Sequence, residues 1–155
     1  MSKNKGGHDG RSSARLWAVQ ALYQMDIAGT ALEETITEYV NHRLDMPLED
    51  MELPDTDIAF FECILRGVTE HQRLIDRRID SALREDWKLS RLDSTLRALM
   101  RAGAYEILCR DDVPPKVVVS QYTDMAHAFF DGPEAGMANA LLDKLHGEKT
   151  EDPLL

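Results

Sequence analysis

The stretch from Ser90 to Cys109 constrains this chain most. Leu92, Leu96, Leu99, Gly103 and Ile107 recur at i, i+4, i+7, i+11 and i+15. That spacing gathers all five on one face of an α-helix, whereas a strand would divide them between two faces. A stripe of this length must be covered, so the chain has to supply other amphipathic helices. Leu16, Val19 and Tyr23, widened by Leu22 and Met25, mark a first one, with Ser12 and Ser13 as N-cap candidates and Gly29 as its stop. Leu32, Ile36, Tyr39 or Val40, and Arg43 or Leu44 mark a second. Ile58, Phe61, Leu65, Val68, Ile75, Ile79 and Leu83 line a stretch that reaches Glu85, long enough to invite a break. Gly67 within it either lowers helix propensity or lets a neighbouring helix approach closely. Val118, Tyr122, Met125 and Phe129 follow Pro115, a residue suited to a first helical turn, and end near Asp131 to Pro133. Met137, Leu141, Leu142 and Leu145 mark a last helix that stops near Gly147.

No two runs form a strand hairpin, no βαβ alternation appears, and no repeat of 20–50 residues is visible. The pattern predicts an all-α fold of helices packed in small bundles. Met1 to Gly10 has three glycines and no periodicity and reads as a flexible basic arm. Asp45 to Asp57, acidic and holding Pro47 and Pro54, reads as a long loop, and residues 148–155 as a frayed tail. No apolar run approaches the roughly 20 residues of a membrane span, and the first residues lack a secretory h-region. Cys63 and Cys109, far apart and outside any C-x-x-C, read as reduced, buried thiols of a cytoplasmic protein.

Charge narrows the function. The formal net charge is −10, but unevenly spread. Residues 1–24 carry +3, 25–65 carry −10, 66–110 carry +3 and 111–155 carry −6. A chain this acidic does not coat nucleic acid generally. Two basic zones can still form a confined nucleic-acid site, and the acidic remainder suits a basic protein partner. Arg97 and Arg101, four residues apart, leave the same side of the central helix.

Catalytic signatures do not emerge. There is no Gly-rich phosphate loop, no G-x-S-x-G and no H-E-x-x-H. Asp124 and His127 stand at i, i+3, but a metal site needs three or four converging ligands. Nothing asks for a cofactor, a metal or an enzyme.

The string Ala14-Arg-Leu-Trp-Ala-Val-Gln-Ala-Leu-Tyr-Gln24 resembles the opening helix of the NusB family of bacterial transcription antitermination factors. Phe61-x-x-x-Leu65-x-Gly67-Val68 is similar to its third-helix block. Trp87-x-Leu-Ser-Arg91-Leu, followed by Leu99-Met-Arg101-x-x-x-Tyr105-Glu106-Ile107-Leu108, resembles its central helix. Asp112-Val-Pro-x-Lys116-Val-Val-Val119 and Asn139-Ala-Leu-Leu-Asp143-Lys144 resemble its last two blocks. The resemblance implies about seven helices in two packed bundles, 11–86 and 87–147, and no enzyme activity. It implies binding of boxA, a single-stranded element of ribosomal RNA leaders, together with NusE, a small-subunit ribosomal protein. It also implies assembly with other Nus factors on RNA polymerase, to suppress termination in ribosomal RNA operons. A homodimer is a further state to consider. Lys3, Lys5, Arg11, Arg15, Arg97, Arg101 and Asn139 are the expected RNA contacts, and Tyr23 and Asp93 the expected partner contacts.

Some positions depart from the family pattern. Ser12 and Ser13 stand where bases are frequent, Leu96 where the family pattern places an acid toward the partner, and Met137 where an aromatic is frequent. Ser120-Gln121 replaces a frequent Asn-Glu. These changes keep open a second reading, a protein-only helical adaptor with eroded RNA affinity.

Overall fold

The computed structural model describes residues 3–44 and 55–151 and bears out the all-α expectation, with seven α-helices and one 3-10 turn among them. They are α1 (Lys3–Ala28), α2 (Leu32–His42), α3 (Ile58–Glu70), α4 (Gln72–Ala82), the 3-10 turn Leu89–Arg91, α5 (Ser94–Cys109), α6 (Pro115–Phe129) and α7 (Glu134–Glu151). Residues 45–54 of the expected acidic loop and 152–155 of the expected tail lie outside the described residues.

Helix α5 sits at the centre and packs against α1, α3, α4, α6 and α7. Every residue from Ala102 to Leu108 is buried, so this helix is covered on all sides. Its start is fixed by Asp93, whose Oδ1 accepts from the Thr95 and Leu96 amides at 2.8 and 3.3 Å. Helices α6 and α7 pair with each other and close over α5 from one side, while α1, α3 and α4 cover it from the other. One hydrophobic cluster runs through the whole molecule, from Ala14 to Leu145.

Helix α1 begins earlier than its sequence signals indicate. Its backbone is helical from Lys3, through the segment expected as an arm, and Ser12 and Ser13 lie in its interior rather than at its cap. Its buried face is Ala14, Trp17, Ala18, Ala21 and Leu22 with Val19, while Leu16 and Tyr23 are half-buried. Apolar residues surround the second half of this helix, from Ala14 on, so periodicity alone could not choose the face. Three alanines there admit close neighbours. Gly29 ends α1 as expected, at φ 71°, with its amide bonded to the Met25 carbonyl at 2.9 Å.

The long stretch from Ile58 breaks at His71 (φ −109°, ψ 20°), not at Gly67. Gly67 serves the other expected purpose. A Cβ there would stand 2.1 Å from the Tyr105 ring, so α5 presses against α3 through the missing side chain. The stop expected near Gly147 is also absent, and α7 continues to Glu151. A glycine ends a helix by adopting positive φ, and among the described residues Gly29 is the one that does.

Candidate nucleic-acid interface

The sequence-predicted cations separate into three different environments. Arg15 lies on the buried face of α1, beside Ala14 and Ala18, and is 1% exposed. Its Nε and Nη2 donate to the two carboxylate oxygens of Glu106 at 2.8 and 3.0 Å. Nη1 donates to Gln121 Oε1 at 3.3 Å, and Tyr122 donates its hydroxyl to Glu106 Oε2 at 2.5 Å. Burial opposes the guanidinium charge, but the hydrogen bonds and charge of Glu106 outweigh it and raise the Arg15 pKa. Burial, then the Glu106 charge, pushes the Tyr122 phenol well above its ordinary value. A buried charge must be paired. Arg15 therefore clamps α1 to α5 and α6, and it does not face solvent as a phosphate ligand.

Arg11, one turn earlier, has moved out to the rim. Its guanidinium lies 4.4 Å from the Phe60 ring centroid, with Asp57 and Asp112 at 3.9 and 3.8 Å. Arg15 and Arg110 approach the same ring at 5.0 and 5.1 Å. Phe60, 3% exposed, is thus an aromatic platform beneath three guanidiniums. Asp57 is positioned by its second role, capping α3 through the Phe60 amide at 3.0 Å. Asp112 is held by Arg110 in a two-pronged pair at 2.8 and 2.9 Å. Those hydrogen bonds keep its carboxyl down at about 2. Besides the Phe60 ring Arg11 has two long acid contacts, so it is the guanidinium of this group most ready to meet an incoming phosphate.

Arg97 and Arg101 share a side of α5, as expected, but that side is already engaged. Arg97 donates to Asp26 at 2.7 and 2.9 Å and to the carbonyls of Leu89, Ser90 and Leu92. Arg101 forms a two-pronged pair with Asp76 at 2.9 and 3.0 Å. Asp26 lies eleven residues beyond Arg15, about 16 Å along α1 at 1.5 Å per residue. The two groups of arginines therefore lie at different levels of α1, one at its middle and one at its C-terminal end, and Arg97 and Arg101 tie α5 to α1 and α4. Lys3 and Lys5 lie in the first turns of α1 by backbone, and their side chains fall outside the described residues. Asn139 is exposed in the interior of α7 and caps nothing there. Met137 is half-buried beside Trp87 and Leu141, in an apolar groove of about 450 Å³.

The two expected partner contacts do come together. Tyr23 and Asp93 line one groove of about 290 Å³ with Gln20, Thr95, Phe129 and Phe130. Phe129 is 42% exposed and meets Phe130 edge to face, with centroids 6.4 Å apart. A groove of aromatic and polar side chains with an exposed carboxylate is suited to a protein surface carrying a cation.

A model of the NusB family matches residues 12–146. The chain belongs to the NusB family. It is 51% identical over 135 residues to the transcription antitermination protein NusB of Rhizobium rhizogenes, covering 87% of this chain and 84% of that one. The structure of T. maritima NusB superposes with a TM-score of 0.73 at 25% identity, covering 89% of this chain and 91% of that one. A chain in a crystal structure of a plectonemic RNA supercoil shares the fold, with a TM-score of 0.75 at 21% identity, covering 92% and 97%.

Within this NusB fold, the residues that sequence reasoning missed are Phe60, Glu106, Arg110, Gln121 and Tyr122. Glu106 gave the one available signal, a lone carboxylate inside the otherwise uncharged run Ala102 to Leu108. The cysteines also differ from expectation, since both are half-buried rather than buried. Cys63 Sγ accepts from Arg110 Nη1 at 2.7 Å, and burial raises the Cys109 thiol to about 11. Among the described residues no three His, Cys, Asp or Glu side chains converge as a metal site, and no helix is long and apolar enough to cross a membrane.

Proposed function

We propose that this chain is a cytoplasmic, non-catalytic antitermination factor. It binds boxA-type single-stranded RNA together with NusE and joins other Nus factors on RNA polymerase to suppress termination in ribosomal RNA operons. The observation that carries the reading is the 51% identity, over 87% of the chain, to a protein named for transcription antitermination. Geometry supports the RNA half through Arg11 on its Phe60 platform, with Lys3 and Lys5 preceding it on the same helix. Arg15 acts there indirectly, by fixing the helix that carries Arg11. The Tyr23–Asp93 groove supports the protein half, and the net charge of −10 favours a basic ribosomal partner.

One observation favours the protein-only adaptor instead. Arg15, Arg97 and Arg101 are already satisfied inside the molecule, which leaves the RNA face with fewer cations than the sequence offers. Titration of labelled boxA RNA with the chain alone, with NusE alone and with both separates the readings. Tightest binding in the mixture supports the RNA reading. NusE binding without RNA binding in any mixture leaves the adaptor, and a homodimer that excludes NusE removes the groove from the partner site.

A further inference from the structure

All twelve arginines of this chain lie among the described residues, and eight of them pair with a carboxylate. With 28 acids to 18 bases, an arginine that finds no acid is the exception. The four without an acid partner are Arg73, Arg77 and Arg78 on α4, and Arg91 in the 3-10 turn packed against α4.

The acids of α4 are occupied elsewhere. Asp76 holds Arg101, and Asp80 accepts from the Leu89 amide at 2.9 Å. Ile75 and Ile79 face the core at 0% exposure, while Arg73 and Arg77, one turn apart, are exposed on the opposite side. They line a concavity of about 560 Å³ between the last turn of α3 and the first turns of α4, which Glu70, His71 and the Arg101-paired Asp76 also border.

We propose that the α4 edge, through Arg73 and Arg77, is a second contact for the phosphate backbone of single-stranded RNA, beyond the strand held at Arg11. This rests on the RNA reading above. A guanidinium with no ion pair meets a phosphate without first giving up a carboxylate, whereas Arg97 would have to release Asp26. Arg11 stands at the N-terminal end of α3 and the concavity at its C-terminal end. A strand leaving Arg11 therefore runs about 20 Å, the length of a 13-residue helix, to reach it.

The test compares boxA RNA alone with boxA RNA flanked on both sides by uridine tracts. The wild-type chain with NusE is expected to bind the flanked RNA several-fold more tightly. Arg73→Gln with Arg77→Gln is expected to erase that gain and to lower the salt slope by about 1.4, two single-strand phosphate contacts. The variant breaks no ion pair, so the fold is retained. Thr37→Glu with Asn41→Glu, on the exposed face of α2, makes the same change in net charge and is expected to keep the gain. No gain from the flanks, or a gain that survives in the arginine variant, overturns the proposal while leaving the boxA reading intact. If bare boxA fails to bind the wild type, the boxA reading itself falls.

Discussion

Arg15 and Glu106 are 91 positions apart and meet in the core as a two-pronged ion pair, Nε to Oε2 at 2.8 Å and Nη2 to Oε1 at 3.0 Å. Neither side chain has water to fall back on, at 2% and 0% side-chain exposure. Removing one partner strands the other. Arg15→Ala is expected to cost about 3–5 kcal/mol in urea unfolding. Arg15→Met with Glu106→Gln removes both charges and keeps an acceptor for Tyr122, and it should recover a large part of that loss. Equal losses in the two variants would mean that charge burial is not the cause.

Arg11 and Arg97 should part company in function. Arg11→Ala is expected to weaken boxA binding several-fold with a stability change within about 0.5 kcal/mol, as for a surface substitution. Arg97→Ala is expected to lower stability, because Asp26 and three carbonyls lose their donor, and to leave RNA affinity unchanged. The reverse pattern in binding titrations and melting curves would place the RNA at the C-terminal end of α1, beside Asp26.

Asp57 competes with phosphate for Arg11. Asp57→Asn keeps the N-cap of α3, since an amide oxygen still accepts from the Phe60 amide, and removes a negative charge beside Arg11. Tighter RNA binding with an unchanged melting temperature is expected. Weaker binding would mean that the carboxylate holds Arg11 in its binding pose.

Gly67→Ala drives a methyl group into the Tyr105 ring, at 2.1 Å before relaxation. A loss of about 1–3 kcal/mol is expected from overpacking, measured by denaturant unfolding. Tyr105→Leu in the same chain opens the space and should restore part of it. A neutral Gly67→Ala would show that α3 and α5 can separate freely.

Asp112 sets an acid limit to the loop after α5. Its folded pKa, about 2, lies below the ordinary 3.8, chiefly through the Arg110 hydrogen bonds. The contribution is therefore complete above 3.8 and disappears as the pH falls through about 2. The carboxylate is half-exposed, so its size is at most about 1 kcal/mol. Asp112→Asn should lower stability by that amount at neutral pH and by progressively less as the pH falls toward and below 2. A constant difference across that range would separate the loss from the carboxylate charge.

The sequence by itself determined the helices. Five apolar residues at helical spacing defined α5, Gly29 marked a stop, and Arg97 and Arg101 fell on one side. Each of these follows from geometry within a few turns of chain. Which charges stay free was decided by tertiary structure, because a charge is neutralised by whatever folding brings beside it. Arg15 reads as surface until Glu106 arrives from 91 residues away, and Arg97 reads as available until Asp26 and Asp76 take that face of α5. The same long-range pairing leaves Arg11 loosely held and Arg73 and Arg77 without an acid.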